Sequence, residues 1–326
     1  MLKNRLFSAM QPTGIIHLGN YFGALANWLT LQNEYESIFS IVDLHALTVY
    51  QKPEQLRANI INLAKIYLAS GLDPKKNIIF RQSDVKEHAE LGWILNCTTP
   101  ISELERMTQF KDKSKQHKEN INSGLFTYPC LMAADIFLYD TNIVPVGEDQ
   151  VQHVELTRTI AKKFNAVYGD VFTIPEVKIN KISARLKGLD DPTKKMSKSS
   201  SSEYNYIALT DAPELIRKKI QKAVTDSGSE IKFTPDKPAL ANLMTLYHLV
   251  TGSEAKEIEK KFSGRGYGDF KKDLAEKLIE FVVPIQDKFN ALSDDEVEKI
   301  LDVGTQKAQV LATKKMKQVK KIIGLS

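Results

Sequence analysis

Residues able to handle a phosphate gather near the start of the chain. Between Met10 and Gly23 the sequence carries His17 and Asn20 among Pro12, Gly14 and Gly19, directly after the apolar run Leu6-Phe7-Ser8-Ala9. Pro and Gly punctuate a tight turn, and from Gly19 onward Phe22, Leu25, Trp28 and Leu29 recur at helical spacing. A strand that passes through a glycine-bearing loop into a helix brings backbone N–H groups and the positive end of the helix dipole to one spot, which suits an anion. Both His17 and Asn20 can donate hydrogen bonds there. A second polar stretch, Asp191-Pro-Thr-Lys-Lys-Met-Ser-Lys-Ser199, brackets Met196-Ser197 with Lys195 and Lys198 and runs on into further serines. It is too polar to be a packed element and reads as a surface loop; composition alone allows a solvated basic loop or a phosphorylation site as readily as a ligand clamp. A third group lies on the apolar helix expected over Thr127 to Tyr139, where Tyr128, Met132 and Asp135 stand at i, i+4 and i+7 and so share a face. A carboxylate in that setting is costly unless something pairs with it, either a structural cation such as Arg or a donor on a ligand.

The elements that position these residues follow from pattern. Short β-branched or aromatic runs alternate with helical stretches in the first half, the mark of βαβ units and a parallel sheet. Strands are expected at 5–9, 37–43, 77–82, 142–146 and 171–174, with a helix from Pro53 to Ser70 stopped by Gly71. In open sheets of this kind ligands bind beyond the carboxyl ends of the strands, and His17, Asp43, His45 and Gly147 all fall just past such ends. A helical insertion from about 86 to 139 separates the third and fourth strands; Leu91, Ile94, Leu95, Leu104, Met107 and Phe110 form its apolar stripes, followed by Lys111, Lys113, Lys115 and Lys118. Beyond Ser202 the strand signals fade. Asp211-Ala-Pro-Glu214 reads as a helix cap leading into Leu215, Ile216 and Ile220, with Arg217, Lys218, Lys219 and Lys222 on the opposite, solvated face. Further helices are expected over 238–250, 253–262, 267–291 and 294–323.

The first two segments resemble the paired signatures of class I aminoacyl-tRNA synthetases, H-I-G-H and K-M-S-K-S, present here as His17-Leu-Gly-Asn20 and Lys195 to Ser199. Leu18 and Asn20 depart from the first signature, and the serine run lacks the acidic residue that often follows the second. Thr127-Tyr-Pro-Cys-Leu-Met-Ala-Ala-Asp135 and Glu103-Leu-Glu-Arg-Met-Thr-Gln-Phe-Lys111 are similar to motifs of tryptophanyl-tRNA synthetases of the bacterial type, a resemblance that extends over the whole chain. It implies a Rossmann-like doubly wound α/β catalytic domain over 1–202, whose insertion forms a homodimer interface, and a smaller helical domain over 203–326 that reads the tRNA anticodon, the last helix returning to the catalytic part. The implied catalytic residues are His17, Asn20, Lys195 and Lys198. ATP would be held by Gln11, Pro12, Thr13, Gly19, Asn20, Gly147, Glu148, Asp149, Leu186 and the loop Lys195, Met196, Ser197, Lys198 and Ser199. Tryptophan would lie among Phe7, His45, Tyr128, Met132, Asp135, Val144, Val146 and Gln150, with Asp135 accepting the indole N–H, a donor that Phe lacks and Tyr carries elsewhere. The implied substrates are L-tryptophan, Mg-ATP and tRNA(Trp), with no metal ligated by the protein. A chemical reason for the paired signatures exists: in-line attack on the α-phosphate of ATP builds negative charge there and on departing pyrophosphate, and fixed donors lower that barrier.

Composition agrees with such a protein without demanding it. The 326 residues, 42% of them hydrophobic, suffice for one large domain or two. No run of about 18 apolar residues occurs, and the N-terminus leads straight into a strand, so a cytoplasmic protein with no membrane contact is expected. Cys97 and Cys130 cannot build a disulfide framework or a zinc site and read as reduced, partly buried thiols. The net charge of +5 permits RNA binding, and residues 303–326 hold six lysines and no acid, either a solvated face or a contact for tRNA phosphates.

Overall fold

The computed structural model describes residues 4–108, 121–179, 186–197 and 202–325. Phe110, Lys111, Lys113, Lys115, Lys118, Lys198 and Ser199 therefore lie outside the described residues. The chain divides into two compact units: the first comprises 1–14, 28–180 and 293–326, the second 15–27 and 181–292. The sequence-based border at 202/203 falls inside the second unit.

The first unit is built on a parallel sheet of five strands, β1 (Arg5–Met10), β2 (Glu36–Ile41), β3 (Ile78–Arg81), β4 (Ile143–Val146) and β5 (Glu176–Ile179), in the order β3-β2-β1-β4-β5. The first three strands grow outward on one side and the last two on the other, so the order reverses between β1 and β4. This is the doubly wound arrangement, and it opens a crevice at the carboxyl ends of those two strands. Helices of ten residues or more are labelled in order: α1 (Pro53–Ser70), α2 (Glu87–Thr98), α3 (Ser123–Phe137), α4 (Val151–Tyr168), α5 (Pro213–Lys222), α6 (Pro238–Thr251), α7 (Tyr267–Ala291) and α8 (Asp294–Ile323). Pro53 opens α1, where its missing N–H costs nothing, and Gly71 ends it at φ +111, a conformation that excludes most side chains. Asn122 caps α3 by accepting the N–H of Leu125 at 3.0 Å.

The fifth strand is not where the alternation of Val171-Phe-Thr-Ile174 places it. Val171 and Phe172 form an aromatic plug instead: Phe172 stacks on Phe137 at 4.4 Å and lies 4.6 Å from Phe164, while both of their N–H groups go to the side chain of Asn165. With the backbone spent on Asn165 and Pro175 following, the ladder starts only at Glu176, opposite Ile143.

The last helix belongs to the first unit. Ser293 and Glu296 form a capping box at its start. Its middle approaches edge strand β3 so closely that a Cβ on Gly304 would sit 1.8 Å from the carbonyl oxygen of Ile79. This contact covers a sheet edge that would otherwise offer unpaired backbone groups. Two of the terminal lysines are used in the same packing: Lys315 is buried, donating to the carbonyl of Val171 and pairing with Asp140, and Lys320 pairs with Glu90 at 2.7 Å. The solvated lysine face is thereby reduced to Lys307, Lys314, Lys317 and Lys321.

The second unit is helical. Its helix α5 begins after Ala212, not at a cap formed by Asp211, and Lys219, expected on the solvated face, is buried. The Lys219 ammonium lies 2.6 Å from Oδ2 of Asp211, and the same oxygen accepts the N–H of Ala208 at 2.9 Å, so this carboxylate faces Lys219 and the preceding turn.

Candidate active site

His17 is held on two sides within the second unit. Its carbonyl accepts the N–H groups of Asn20 and Tyr21, at 2.9 and 3.1 Å, opening the turn Leu18–Asn20, which widens into a π turn over Tyr21–Leu25. The side-chain oxygen of Asn20 accepts the N–H of His17 at 3.2 Å. On the other flank His17 pairs with Ala208 in an antiparallel bridge, enclosed by Leu18 N–H to Ile207 and Leu209 N–H to Ile16, both 2.9 Å. A Cβ at Gly19 would stand 2.9 Å from the His17 imidazole. A side chain at position 19 would therefore require the His17 ring to move.

The lysine segment lies in the same unit. Residues 186–189 and 194–197 form a hairpin through Met196 N–H to Leu186 at 2.8 Å and Gly188 N–H to Lys194 at 2.9 Å. At its tip Asp191 accepts from the hydroxyl and N–H of Thr193 and pairs with Lys194 at 2.9 Å. The Thr193 hydroxyl first, then Lys194 and the Thr193 N–H, hold the Asp191 carboxyl down to about 2. Lys194 makes that pair at the surface, and Lys195 beside it is exposed as well. Buried Met196 has its Cβ 3.8 Å from the point where a side chain at Gly19 would begin, so signatures remote in sequence are neighbours in space. Leu186, the first residue of the hairpin, is buried, and the N–H of Ser197 is held at 2.8 Å by the side chain of Asn205, whose amide donates to Asp190.

Most of the residues expected around an amino acid come together in the first unit. Asp135 is fully buried on α3, but its partner is no arginine. Its Oδ2 meets Nε2 of His45 at 2.8 Å, and its Oδ1 meets both Nδ1 of His88 and Nε2 of Gln82 at 2.6 Å. Burial alone raises the Asp135 carboxyl; the charge of His45, with hydrogen bonds from His45 and His88, outweighs it and holds the group below its ordinary value. The ring of Tyr128 stands edge-on to His45, and its hydroxyl lies 2.5 Å from Nε2 of His153. Burial pushes that hydroxyl up to about 12, so it remains a donor throughout the physiological range. Phe7 and Val144 are core residues of the same hydrophobic cluster, with half-buried Met132 and Val146 against it. Gln150 immediately precedes α4, one turn before His153, and its amide donates to Asp149 at 3.1 Å.

The remaining candidates occupy strand ends of the first unit. Gln11, Pro12 and Thr13 follow β1, where Thr13 N–H folds back on the Gln11 carbonyl at 2.9 Å before Gly14 turns the chain at φ +112. Gly147 follows β4; Glu148 and Asp149, both exposed, make a single 3-10 turn into α4. Residues that the sequence did not single out as functional stand behind these: Gln82 and His88 against Asp135, His153 against Tyr128, Asn205 against the lysine hairpin, and Asp211 with Lys219 behind the His17 turn. Nothing local marks any of them, since each gains its partner only through the fold.

The family model for class I tRNA synthetases (W and Y) matches residues 2–283. Among curated proteins, the tryptophan–tRNA ligases of Wolinella succinogenes and Bacillus subtilis are each 51% identical, over 100% of both chains in the first case and over 99% and 98% in the second. Among solved structures, tryptophanyl-tRNA synthetase from Mycoplasma pneumoniae superposes with a TM-score of 0.91 at 36% identity, covering 100% of this chain and 99% of its own. The Campylobacter jejuni enzyme, crystallised with ADP and tryptophan, superposes with a TM-score of 0.86 at 38% identity over 98% and 100%. A family match over most of the chain, joined to full-length relatives half identical to it, places this chain in the class I tRNA synthetases for tryptophan and tyrosine, on the bacterial tryptophan branch.

Proposed function

We propose that the chain joins L-tryptophan to tRNA(Trp) in two steps, with the residues named above in specific roles. The carboxylate of tryptophan attacks the α-phosphorus of Mg-ATP, forming tryptophanyl-adenylate as the bond to pyrophosphate breaks. A ribose hydroxyl at the tRNA terminus then attacks the activated carbonyl; it gives up its proton, and AMP leaves. No side chain becomes a covalent nucleophile, so positioning and charge stabilisation supply the rate. His17 and Asn20 donate to the phosphates, and Lys195 and Lys198 neutralise the departing pyrophosphate. Gln11, Pro12, Thr13, Gly147, Glu148, Asp149 and Leu186 line the nucleotide. Asp135 accepts the indole N–H, Tyr128 and Gln150 meet the ammonium, and Phe7, His45, Met132, Val144 and Val146 wall the ring.

The observation that carries this reading is the approach of Met196 to Gly19, which brings the lysine hairpin beside the histidine turn. ATP–pyrophosphate exchange tests it: tryptophan should drive exchange far better than tyrosine, and faster turnover with tyrosine would overturn the assignment. Two surfaces suit macromolecular partners. Exposed Trp93, Ile101 and Ile121 on the helical insertion suit burial against a second copy, which sedimentation would detect. Exposed Lys307, Lys314, Lys317 and Lys321 suit tRNA phosphates, and neutralising them should flatten the salt dependence of tRNA binding.

A further inference from the structure

Asp135 has more partners than a recognition residue needs. An ionised carboxylate offers about four lone-pair sites. Oδ1 takes two donors, Nδ1 of His88 and Nε2 of Gln82, and Oδ2 takes one, Nε2 of His45. Among the described residues, this fills Oδ1 and leaves one site on Oδ2. Behind Oδ1 the chain of hydrogen bonds continues, because Nε2 of His88 lies 2.7 Å from the hydroxyl of Tyr139. An ionised carboxylate can only accept, so Nδ1 of His88 carries a proton that points at Asp135, and in the neutral ring Nε2 is then the acceptor for the Tyr139 hydroxyl. Burial pushes the Tyr139 hydroxyl well above its ordinary value, so it keeps the proton it donates. Aromatic packing fixes the assembly, with Phe7 stacked on Tyr139 at 5.7 Å and Phe80 against both Tyr139 and His88.

We propose that His88 and Tyr139 are positioning residues for amino-acid selection: with Gln82 they fill Oδ1 of Asp135 and lock its plane, so that a single acceptor site on Oδ2 remains for one ligand N–H. The proposal rests on the reading of Asp135 as the indole acceptor. Neither residue touches the substrate. Their contribution is to deny the carboxylate a second open site or a rotation through which a phenolic hydroxyl could be accepted. A site committed to one buried hydrogen bond rejects ligands that cannot make it, because the acceptor is then left unpaired.

The test compares tryptophan with 3-benzothienylalanine, an isostere with sulfur in place of the indole N–H, and with tyrosine, in ATP–pyrophosphate exchange. Tyr139→Phe deletes one oxygen and keeps the ring packing; His88→Leu removes both bonds; His88→Asn restores a donor where Nδ1 stood. The preference for tryptophan over the thienyl analogue should fall about tenfold in Tyr139→Phe and further in His88→Leu, and recover in His88→Asn, while KM for ATP stays unchanged. Should His88→Leu fail to fold, Tyr139→Phe and His88→Asn still decide the matter. Loss of exchange with both amino acids alike, the preference unchanged, would reduce the network to scaffolding and overturn the proposal. A wild-type enzyme indifferent to the sulfur substitution would instead overturn the indole role of Asp135 itself, and the two failures are distinguishable.

Discussion

Replacing Lys219 by methionine tests whether the His17 turn depends on a charge pair buried behind it. The methionine keeps most of the aliphatic stem and removes the ammonium, which sits 2.6 Å from Asp211 and 4.7 Å above the ring of Tyr206. The same carboxylate oxygen accepts the N–H of Ala208 at 2.9 Å, and Gln286 holds the carbonyls of Leu209 and Asp211, also at 2.9 Å. Residues 206–211 are thus tied down at one end by this pair, and their other edge is the strand that pairs with Ile16, His17 and Leu18. Removing one partner of a buried pair strands the other's charge, at a cost of about 3 to 5 kcal/mol. Lys219→Met should therefore lower the unfolding free energy of the second unit by that amount in urea titrations followed by circular dichroism. In exchange assays kcat should fall while KM for tryptophan holds, because the residues around Asp135 lie in the other unit. The double variant Lys219→Met/Asp211→Asn keeps an acceptor for Ala208 and carries no charge, and should recover all but about 1 to 2 kcal/mol. A single variant within about 1 kcal/mol of wild type, where exposed pairs fall, would refute the claim that the pair is desolvated and holds the turn.

Other perturbations have equally definite outcomes. Gly19→Ala places a methyl group 2.9 Å from the His17 imidazole; the ring must shift, and kcat for exchange should drop about 100-fold with the fold intact, as judged by unchanged thermal melting. Gly304→Ala drives a Cβ into the backbone of Ile79 and should destabilise the first unit by about 3 kcal/mol or abolish the seating of α8, measurable as faster amide exchange in β3. Asp135→Asn removes the charge of an acceptor, and since a hydrogen bond to a charged group contributes about 1.5 to 3 kcal/mol, kcat/KM for tryptophan should fall about 10- to 100-fold with KM for ATP unchanged. Because the folded carboxyl lies below its unfolded value, its stabilisation is complete above about pH 4 and is lost as pH falls through the folded value. The wild type should therefore lose more stability than Asp135→Asn as pH falls below about 4 in acid unfolding, and parallel curves would show the carboxylate is not held down.

The groups proposed to meet ligands were legible in the sequence because their chemistry is local. His17, Gly19 and Asn20 fall within four residues, and Tyr128, Met132 and Asp135 follow one helical period, so spacing alone brings each set to one face. The positions of β1 to β4 were legible for a similar reason: each carries a short apolar pair or triplet, Leu6-Phe7, Ile38-Phe39, Ile78-Ile-Phe80 and Ile143-Val144, whereas β5 reads Glu-Val-Lys-Ile and the more apolar Val171-Phe-Thr-Ile174 outbid it. What escaped are the polar residues one layer behind. Lys219 follows two other basic residues on an amphipathic helix, and only the arrival of Asp211 from the preceding turn distinguishes it from its exposed neighbours. His88 and Gln82 reach Asp135 across 47 and 53 positions, and Asn205 meets Ser197 across a serine run with no periodicity to read. A buried polar group must have a partner, but the rule does not say which one. Sequence therefore exposes the residues that face a ligand, while those that fix their direction and charge emerge only when distant segments are brought within about 3 Å of each other. That is why the perturbations that best separate a recognising carboxylate from a structural one lie at Tyr139 and His88, not at Asp135 itself.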